Sequence, residues 1–198
     1  MANIYQLKVQ LQGVSKPPIW RQLQVPSDIS LYLLHCCIQG AMGWFNSHLH
    51  QFIINGEYYT IPHEDDYMEM KDERKEKLQN ALKSADTYMD YEYDFGDGWL
   101  HRITLEKILP ANPKQILPVL VKGKGACPPE DCGGIWGYEN LKEVMKNPAH
   151  EEYLHLSNWL GIEGEEEKFD PAAFDLAEQQ DEMISAYKRG LIDKGEWF

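Results

Sequence analysis

The sequence lacks any run of about 18 consecutive apolar residues, which is the length that a membrane-spanning helix requires. It also begins without a basic segment followed by an apolar stretch, so residues 1–5 do not resemble a secretion signal. We therefore expect a cytoplasmic protein with no membrane partner. In that reducing compartment, the four cysteines are expected to be thiols or metal ligands rather than disulfides.

Positive charge is also scarce. Lys and Arg together number 19 against 32 Asp and Glu, which gives a formal net charge of −13. Binding to nucleic acid through phosphate neutralisation requires a cationic surface, so the charge argues against a nucleic-acid partner. A protein or a small-molecule ligand is the partner class that remains open.

Several catalytic signatures are absent as well. The sequence contains no G-x-x-x-x-G-K-[ST] phosphate loop, no G-x-G-x-x-G that opens a helix, no G-x-S-x-G and no H-E-x-x-H. Nucleotide hydrolysis and zinc-protease chemistry thus have no positive support. Whether the protein is an enzyme stays open.

Hydrophobic periodicity predicts the fold class. Residues 4–11 and 19–25 alternate between apolar and polar side chains, as strands do, and Asn55-Gly56 is a typical hairpin turn. The second half contains segments with helical spacing. This order predicts an α+β fold, in which an antiparallel sheet built from hairpins carries helices on one face. The predicted domains are a single α+β domain over 1–176, and the end of the C-terminal helix with a tail over 177–198.

Two of the predicted helices have recognisable ends. Ser27, Asp28 or Ser30 can cap a helix that runs to about Gly43. A last helix is expected over 171–188, with Asp170 as its N-cap, followed by a loosely held tail from about residue 190.

The central hairpin turns at Gly96-Asp97-Gly98, and the segregation of polar from apolar residues predicts its register. A three-residue loop places Tyr93 opposite His101 and gives one aromatic face and one charged face. His101 is therefore expected on the covered aromatic face, Asp94 on the opposite face and Asp97 at the tip. A histidine in that position is more often a core residue than a catalytic one.

Two pairs of residues have spacings that metal ligands use. His48 and His50 are two positions apart in a predicted strand, so both imidazoles would point to the same side. The alternative is an exposed polar strand face. Cys127 and Cys132 have the C-x₄-C spacing of half a zinc site, which two histidines would have to complete. The alternatives are a short-span disulfide or, as we favour, a rigid loop whose Pro128-Pro129 and Gly133-Gly134 fix its shape.

Several long and rare strings occur in order along the chain. They are P-P-I-W-R from Pro17, H-L-H-Q-F from His48, Y-E-Y-D-F-G-D-G-W-L-H from Tyr91, and A-C-P-P-E-D-C-G-G from Ala126. Together they resemble the plasmid pRi ORF-three-like family over about residues 3–176. The resemblance implies an α+β fold and no established activity. A label of the TnpR type of insertion-sequence passenger protein, carried by some members, implies an association with mobile elements.

Two hypotheses from different classes follow. In the first, the protein is a binding module in which the hairpin tip and the loop 127–134 meet to form a rigid acidic rim. In the second, it is a metal-dependent hydrolase or nuclease-like enzyme. A divalent ion held by His48, His50, His101 and either Asp94 or Asp97 would lower the pKa of a bound water. A weaker third, from the family label alone, is an accessory factor in mobile-element DNA transactions. The candidate ligand-binding residues are Asp94, Asp97, Trp99, Glu130, Asp131, Trp136 and Tyr138, and the candidate metal ligands are His48, His50, His101, Cys127 and Cys132.

Overall fold

The computed structural model describes residues 2–63, 70–162, 164 and 168–195. The strands are β1 Ile4–Ser15, β2 Pro18–Pro26, β3 His50–Ile54, β4 Glu57–Thr60, β5 Lys71–Asp72, β6 Tyr88–Tyr93, β7 Trp99–Leu109 and β8 Val119–Lys124. The helices are α1 Leu31–Met42, α2 Leu78–Ala81, α3 Gly134–Val144, α4 Tyr153–Trp159 and α5 Leu176–Asp193.

The described strands form one sheet in the order β5-β4-β3-β6-β7-β1-β2-β8. The pairs β1–β2, β3–β4 and β6–β7 are hairpins, and neighbouring strands are antiparallel except for the short parallel pair β4–β5. The predicted α+β class is therefore confirmed, with a mixed sheet instead of a purely antiparallel one. The tight turn at Asn55-Gly56 is present, and both residues have the positive φ that such hairpin turns require.

One face of the sheet forms the core. Leu7 and Leu23 on the central strands are fully buried, while Gln22 on the other face bonds to Glu106. Helix α1 covers the apolar face, and α5 packs on α1. The two helices approach so closely that a Cβ at Gly40 would lie 2.6 Å from the backbone of α5. Of the described helices, even the 18-residue α5 is too polar to span a membrane.

Helix α1 begins and ends close to the predicted residues. The Ser30 hydroxyl accepts a hydrogen bond from the backbone N–H of Leu33 at 3.3 Å, and Gly43 closes the helix in the left-handed conformation. The first N–H groups of a helix have no hydrogen-bond partner within the helix. A side-chain oxygen at the N-cap replaces the hydrogen bond to water that such a group loses on folding, which explains the preference for residues such as serine.

Replacing Ser30 with Ala is expected to lower the free energy of unfolding by about 1 kcal/mol, because the first turn of α1 loses its side-chain cap. Urea denaturation followed by tryptophan fluorescence measures the difference. Ser84→Ala, at an exposed turn position, is the matched control and is expected to change stability by less than about 0.5 kcal/mol. Equal effects of the two substitutions would contradict the capping role.

The C-terminal helix differs from its prediction at both ends. It begins at Leu176 and its N-cap is Asp175, whose carboxylate accepts hydrogen bonds from Ala177 and Glu178. Asp170 instead closes a separate turn by accepting from Ala172. The helix also continues to Asp193, beyond the expected start of the tail, and residues 196–198 of that tail lie outside the described residues.

The register of the central hairpin was wrong by two residues. Tyr93 pairs with Trp99, and Tyr91 pairs with His101, so the connecting loop spans residues 94–98. The reason is Asp94, which leaves the strand with a φ of 57° and accepts the N–H of Gly98. A shift of two keeps every side chain on its own face, so the placement of His101 on the buried aromatic face is confirmed.

Candidate functional site

The hairpin tip and the loop 127–134 are in direct contact. The N–H of Gly133 donates to the Asp97 carboxylate at 3.2 Å. A Cβ at Gly134 would lie 2.6 Å from the carbonyl oxygen of Asp97, and φ there is 66°, so this contact requires glycine. Trp44 anchors the other end of the loop by donating from Nε1 to the carbonyl of Pro128 at 3.0 Å. Two stretches 30 residues apart in sequence thus form one surface.

Glu130 holds the loop to the sheet instead of facing a ligand freely. Its Oε1 accepts hydrogen bonds from the Tyr93 hydroxyl at 2.5 Å and from the Phe45 N–H at 3.1 Å. Burial and the bond to Glu130 raise the pKa of Tyr93 above its ordinary value, so this hydroxyl remains a donor. The rigidity predicted for this loop therefore has a second source, besides its prolines and glycines.

His48, Asp94 and Asp131 converge at the same place. The Nε2 atom of His48 lies 3.7 Å from Asp94 Oδ2 and 3.3 Å from Asp131 Oδ1. One ligand atom from each residue lies within 4.8 Å of the others. Among the described residues, this is the only group of three or more His, Cys, Asp or Glu side chains with that spacing.

The sequence predicted Asp94 on the face of the hairpin opposite the aromatic face, and this prediction was wrong. Its backbone turns at the end of β6, so the alternation of the strand no longer governs its side chain. The carboxylate is buried, and Oδ1 accepts the backbone N–H groups of Gly96 at 2.9 Å and Asp97 at 3.3 Å. The other oxygen, Oδ2, faces His48.

The three predicted imidazole ligands do not converge. His48 precedes β3, so the strand alternation that would align it with His50 does not apply. His50 is buried, and its Nε2 lies 2.9 Å and 3.0 Å from the two oxygens of Glu73. His101 lies in the aromatic core beside Tyr91, and neither ring nitrogen has a well-formed hydrogen bond to a described residue.

Burial keeps these core imidazoles neutral. It lowers the pKa of His50 from 6.5 to about 3 and that of His101 to about 4. His35, whose ring stacks on His50 at 3.4 Å, has a pKa well below its ordinary value for the same reason. Burial also raises the pKa of Glu73 from 4.5 to about 8. The Glu73–His50 pair therefore holds one proton near neutral pH, whichever atom carries it.

Cys127 and Cys132 are both free thiols that pack against the core. Burial raises the pKa of Cys127, and burial together with the nearby carboxylate of Asp97 raises the pKa of Cys132 to about 12. Within the described part of the chain, no third ligand gathers with them. No histidine among the described residues therefore completes the predicted zinc half-site, and the two thiols pack as apolar side chains.

The predicted aromatic ligands have different surroundings. Trp99 and Tyr138 are fully buried, and the Tyr138 hydroxyl donates to the carbonyl of Ala126 at 3.4 Å. Trp136 is 88% exposed. None of the three lines the cleft described next.

A cleft of about 750 Å³ lies beside the loop 127–134. Arg21 of β2, which is only 2% exposed, forms part of its floor. The aromatic side chains on its walls are Trp44, Phe45, Trp159 and Phe174, and the loop contributes Cys127 to Asp131.

The Arg21 guanidinium has an unusual environment. It donates from Nε to the carbonyl of Ala41 at 2.7 Å and from Nη1 to those of Trp20 and Lys124 at 3.0 Å. The ring of Phe174 stacks 4.5 Å from its central carbon. No carboxylate of a described residue pairs with it, although buried charges are ordinarily paired.

Arg21 and Glu73 are the polar residues that sequence reasoning missed. Arg21 carried a usable signal, because it lies on the apolar side of the alternating strand 19–25. Glu73 carried none, because it belongs to a charged segment in which many carboxylates look alike. Only the packing of residue 73 beneath His50 distinguishes it.

The fold and site define an α+β protein in which a Gly-tipped hairpin and a Cys-Pro-Pro loop bring Asp94 and Asp131 together with His48. The chain belongs to the family described as plasmid pRiA4b ORF-3-like protein, whose model matches residues 3–178. The resemblance read from the sequence strings is thus confirmed.

Two relatives agree with this assignment. The uncharacterized protein y4hQ of Sinorhizobium fredii (strain NBRC 101917 / NGR234) is 39% identical over 162 residues, which cover 81% of this chain and 82% of that protein. The crystal structure of MM3350 from Methanosarcina mazei Go1, a protein of unknown function, matches with a TM-score of 0.79 at 37% identity. That match covers 90% of this chain and 97% of the other. The crystal structure supports the fold, and the names of the two relatives state no activity.

Proposed function

We propose that the protein is a binding module whose cleft takes a small organic anion with an aromatic or otherwise apolar body. The observation that carries this proposal is Arg21, a buried guanidinium without a carboxylate partner on the floor of the cleft. A ligand carboxylate would supply the missing countercharge through a charge-assisted hydrogen bond.

The side chains that line the cleft indicate the shape and the total charge of the ligand. Trp44, Phe45 and Trp159 offer flat apolar surfaces, on which an aromatic body can pack. A second negative charge on the ligand would be repelled, because four acidic side chains also line the cleft, those of Glu130, Asp131, Asp175 and Glu178. A monoanion that enters with its carboxylate first satisfies both conditions.

A set of indole compounds tests the proposal, because they share a ring and differ in charge. Indole-3-propionate is expected to bind at about 1 mM or below, whereas the cation tryptamine is not. Saturation-transfer NMR detects either ligand. Arg21→Gln is expected to abolish binding, and Lys124→Gln, which removes an exposed cation nearby, is the control.

Trp159→Ala gives a second variant, because this half-exposed side chain can be removed without opening the core. It is expected to weaken indole-3-propionate binding several-fold while Arg21 remains in place. Equal binding of tryptamine and indole-3-propionate, or no binding of the anion to the wild-type protein, would contradict the proposal.

The expected localisation and the two alternative functions each rest on a single observation. The free state of all four cysteines fits the cytoplasm that we expect for the protein. A metal-dependent hydrolase is the second candidate function, and the His48 cluster is the observation that favours it. An accessory role in mobile-element DNA transactions stays a prediction from the family label, against a net charge of −13.

A further inference from the structure

We propose that His48, Asp94 and Asp131 form a binding site for a divalent transition-metal ion such as Zn²⁺ or Mn²⁺. This site is separate from the Arg21 end of the cleft and does not depend on the anion proposed above. The inference rests on the spacing of the three ligand atoms, on the lack of a hydrogen bond between His48 Nε2 and any other described residue, and on the contacts that hold Asp94.

The spacing suits coordination better than hydrogen bonding. Ligand atoms about 2.1 Å from a common ion are about 3.0–3.4 Å apart at octahedral or tetrahedral angles. The Nε2 atom of His48 lies 3.3 Å from Asp131 Oδ1 and 3.7 Å from Asp94 Oδ2, close to those edges. A direct N–H···O bond to a carboxylate would be about 2.7–2.9 Å long.

The Nε2 atom of His48 has no hydrogen-bond partner among the described residues, and it is shielded from solvent. The loss of such a bond is costly for a shielded nitrogen, so a native structure ordinarily supplies a partner. A cation between the imidazole and the two carboxylates supplies that partner.

The supporting contacts hold the ligands in place. Asp94 Oδ1 accepts two backbone N–H groups of the hairpin tip, which fixes the direction of Oδ2. The His48 ring packs edge-on against Tyr93 at 5.8 Å. Asp131 has a φ of 59° in a loop that Glu130 and Gly133 tie to the sheet and the hairpin. Such contacts behind the ligands are what distinguish a metal site from a chance cluster of charges.

The ligand set narrows the choice of ion. An imidazole nitrogen suits Zn²⁺, and the two carboxylates also suit Mn²⁺, whereas Ca²⁺ and Mg²⁺ prefer a set of oxygen ligands only. Three protein ligands leave at least one coordination position for water. Because Asp131 also lines the cleft, the proposed site lies beside the cleft.

Isothermal titration of chelator-treated protein with ZnCl₂, MnCl₂ and MgCl₂ tests the site. We expect one equivalent of Zn²⁺ or Mn²⁺ to bind at least tenfold more tightly than Mg²⁺. Asp131→Asn is expected to weaken that binding about 100-fold. The side chain of Asp131 is 74% exposed, so its substitution leaves the core intact. Asp181→Asn, an equal charge change on the exposed side of α5, is the control and keeps wild-type affinity.

A second measurement guards against adventitious binding to surface histidines. Zn²⁺ is expected to raise the melting temperature of the wild-type protein and of His155→Gln, but not that of His48→Gln. Wild-type affinity in Asp131→Asn, or an equal thermal shift in His48→Gln, would overturn the site. So would the lack of stoichiometric binding by both Zn²⁺ and Mn²⁺. Indole-3-propionate binding to His48→Gln is measured in parallel and is expected to be unchanged, because His48 does not line the cleft. This comparison separates a failure of the metal site from a failure of the anion proposal.

Discussion

Acidification from pH 6.5 to about pH 5 is expected to lower the free energy of unfolding by about 3 kcal/mol. The cause is a set of three buried imidazoles that stay neutral in the folded protein, those of His35, His50 and His101. In the unfolded chain each takes up a proton near pH 6.5, whereas in the folded protein the pKa of His101 is about 4 and that of His50 about 3.

The sign follows from these pKa directions. A group whose pKa is lower in the folded state stabilises the protein above its unfolded pKa, and that stability is lost as the pH falls. Glu73 acts in the opposite sense. Its pKa rises to about 8, so its contribution is complete below 4.5 and is lost as the pH rises through 8.

Counting protons gives the slope. Between pH 4.5 and 6.5 the unfolded chain holds three protons on these four groups, and the folded protein holds one, on the Glu73–His50 pair. A difference of two protons corresponds to a limiting slope of about 3 kcal/mol per pH unit, and the slope is smaller near pH 6.5, where the unfolded imidazoles are only half protonated. Well above pH 6.5, Glu73 is the only one of these four groups whose protonation differs between the folded and unfolded states, so the free energy of unfolding declines again toward pH 8. The optimum is therefore expected near pH 6.5.

Urea denaturation at a series of pH values from about 5 to 8 measures this profile. His101→Leu removes one of the three imidazoles and is expected to halve the slope on the acid side. Ile103→Val, a change at another buried position of β7, lowers stability without altering the slope. Glu73→Gln is expected to remove the decline above pH 6.5. An unchanged acid slope in His101→Leu would show that buried imidazoles are not the cause.

Replacing Gly137 with Ala is expected to cost about 3 kcal/mol of stability, although alanine is the better helix former. A Cβ at this position of α3 would overlap the carbonyl oxygen of Cys132, which is backbone and cannot rotate away. The loop 127–134 must then shift, and its bonds from Trp44 to Pro128 and from Gly133 to Asp97 are lost.

Asn140→Ala, at an exposed position of the same helix, is the matched control and is expected to leave stability unchanged or slightly higher. Urea denaturation compares the two variants. Because Asp131 belongs to the same loop, Gly137→Ala is also expected to weaken Zn²⁺ binding. A Gly137→Ala protein as stable as the control would mean that the loop is not held as tightly as the backbone contact indicates.

The central hairpin illustrates how far the sequence carries the prediction of structure. Alternation between polar and aromatic residues placed His101 on the buried face, and that prediction was right, because a strand has two faces and only one was apolar. The pairing of Tyr93 was wrong, because a shift by two residues leaves the faces unchanged. The positive φ of Asp94, which lengthens the loop, has no counterpart in the hydrophobic pattern.

The candidate site divides in the same way. The metal hypothesis from the sequence included His48 and Asp94, but it combined them with His50 and His101, omitted Asp131 and placed Asp94 on the wrong side. Residues 48 and 131 belong to segments that local rules treat separately, so no spacing rule joins them. Arg21 was visible as an arginine in an apolar position, and only the structure places it on the floor of a cleft.

By itself, the sequence determined the α+β class, the hairpins, the ends of α1 and the family, because these depend on periodicity, turn residues and strings of neighbouring residues. The tertiary structure alone decided which polar groups meet: His48 with Asp94 and Asp131, His50 with Glu73, and Arg21 with no carboxylate. The physical reason is that local patterns act over a few residues, whereas a site is assembled by packing between distant segments, and burial then sets the charge of each group.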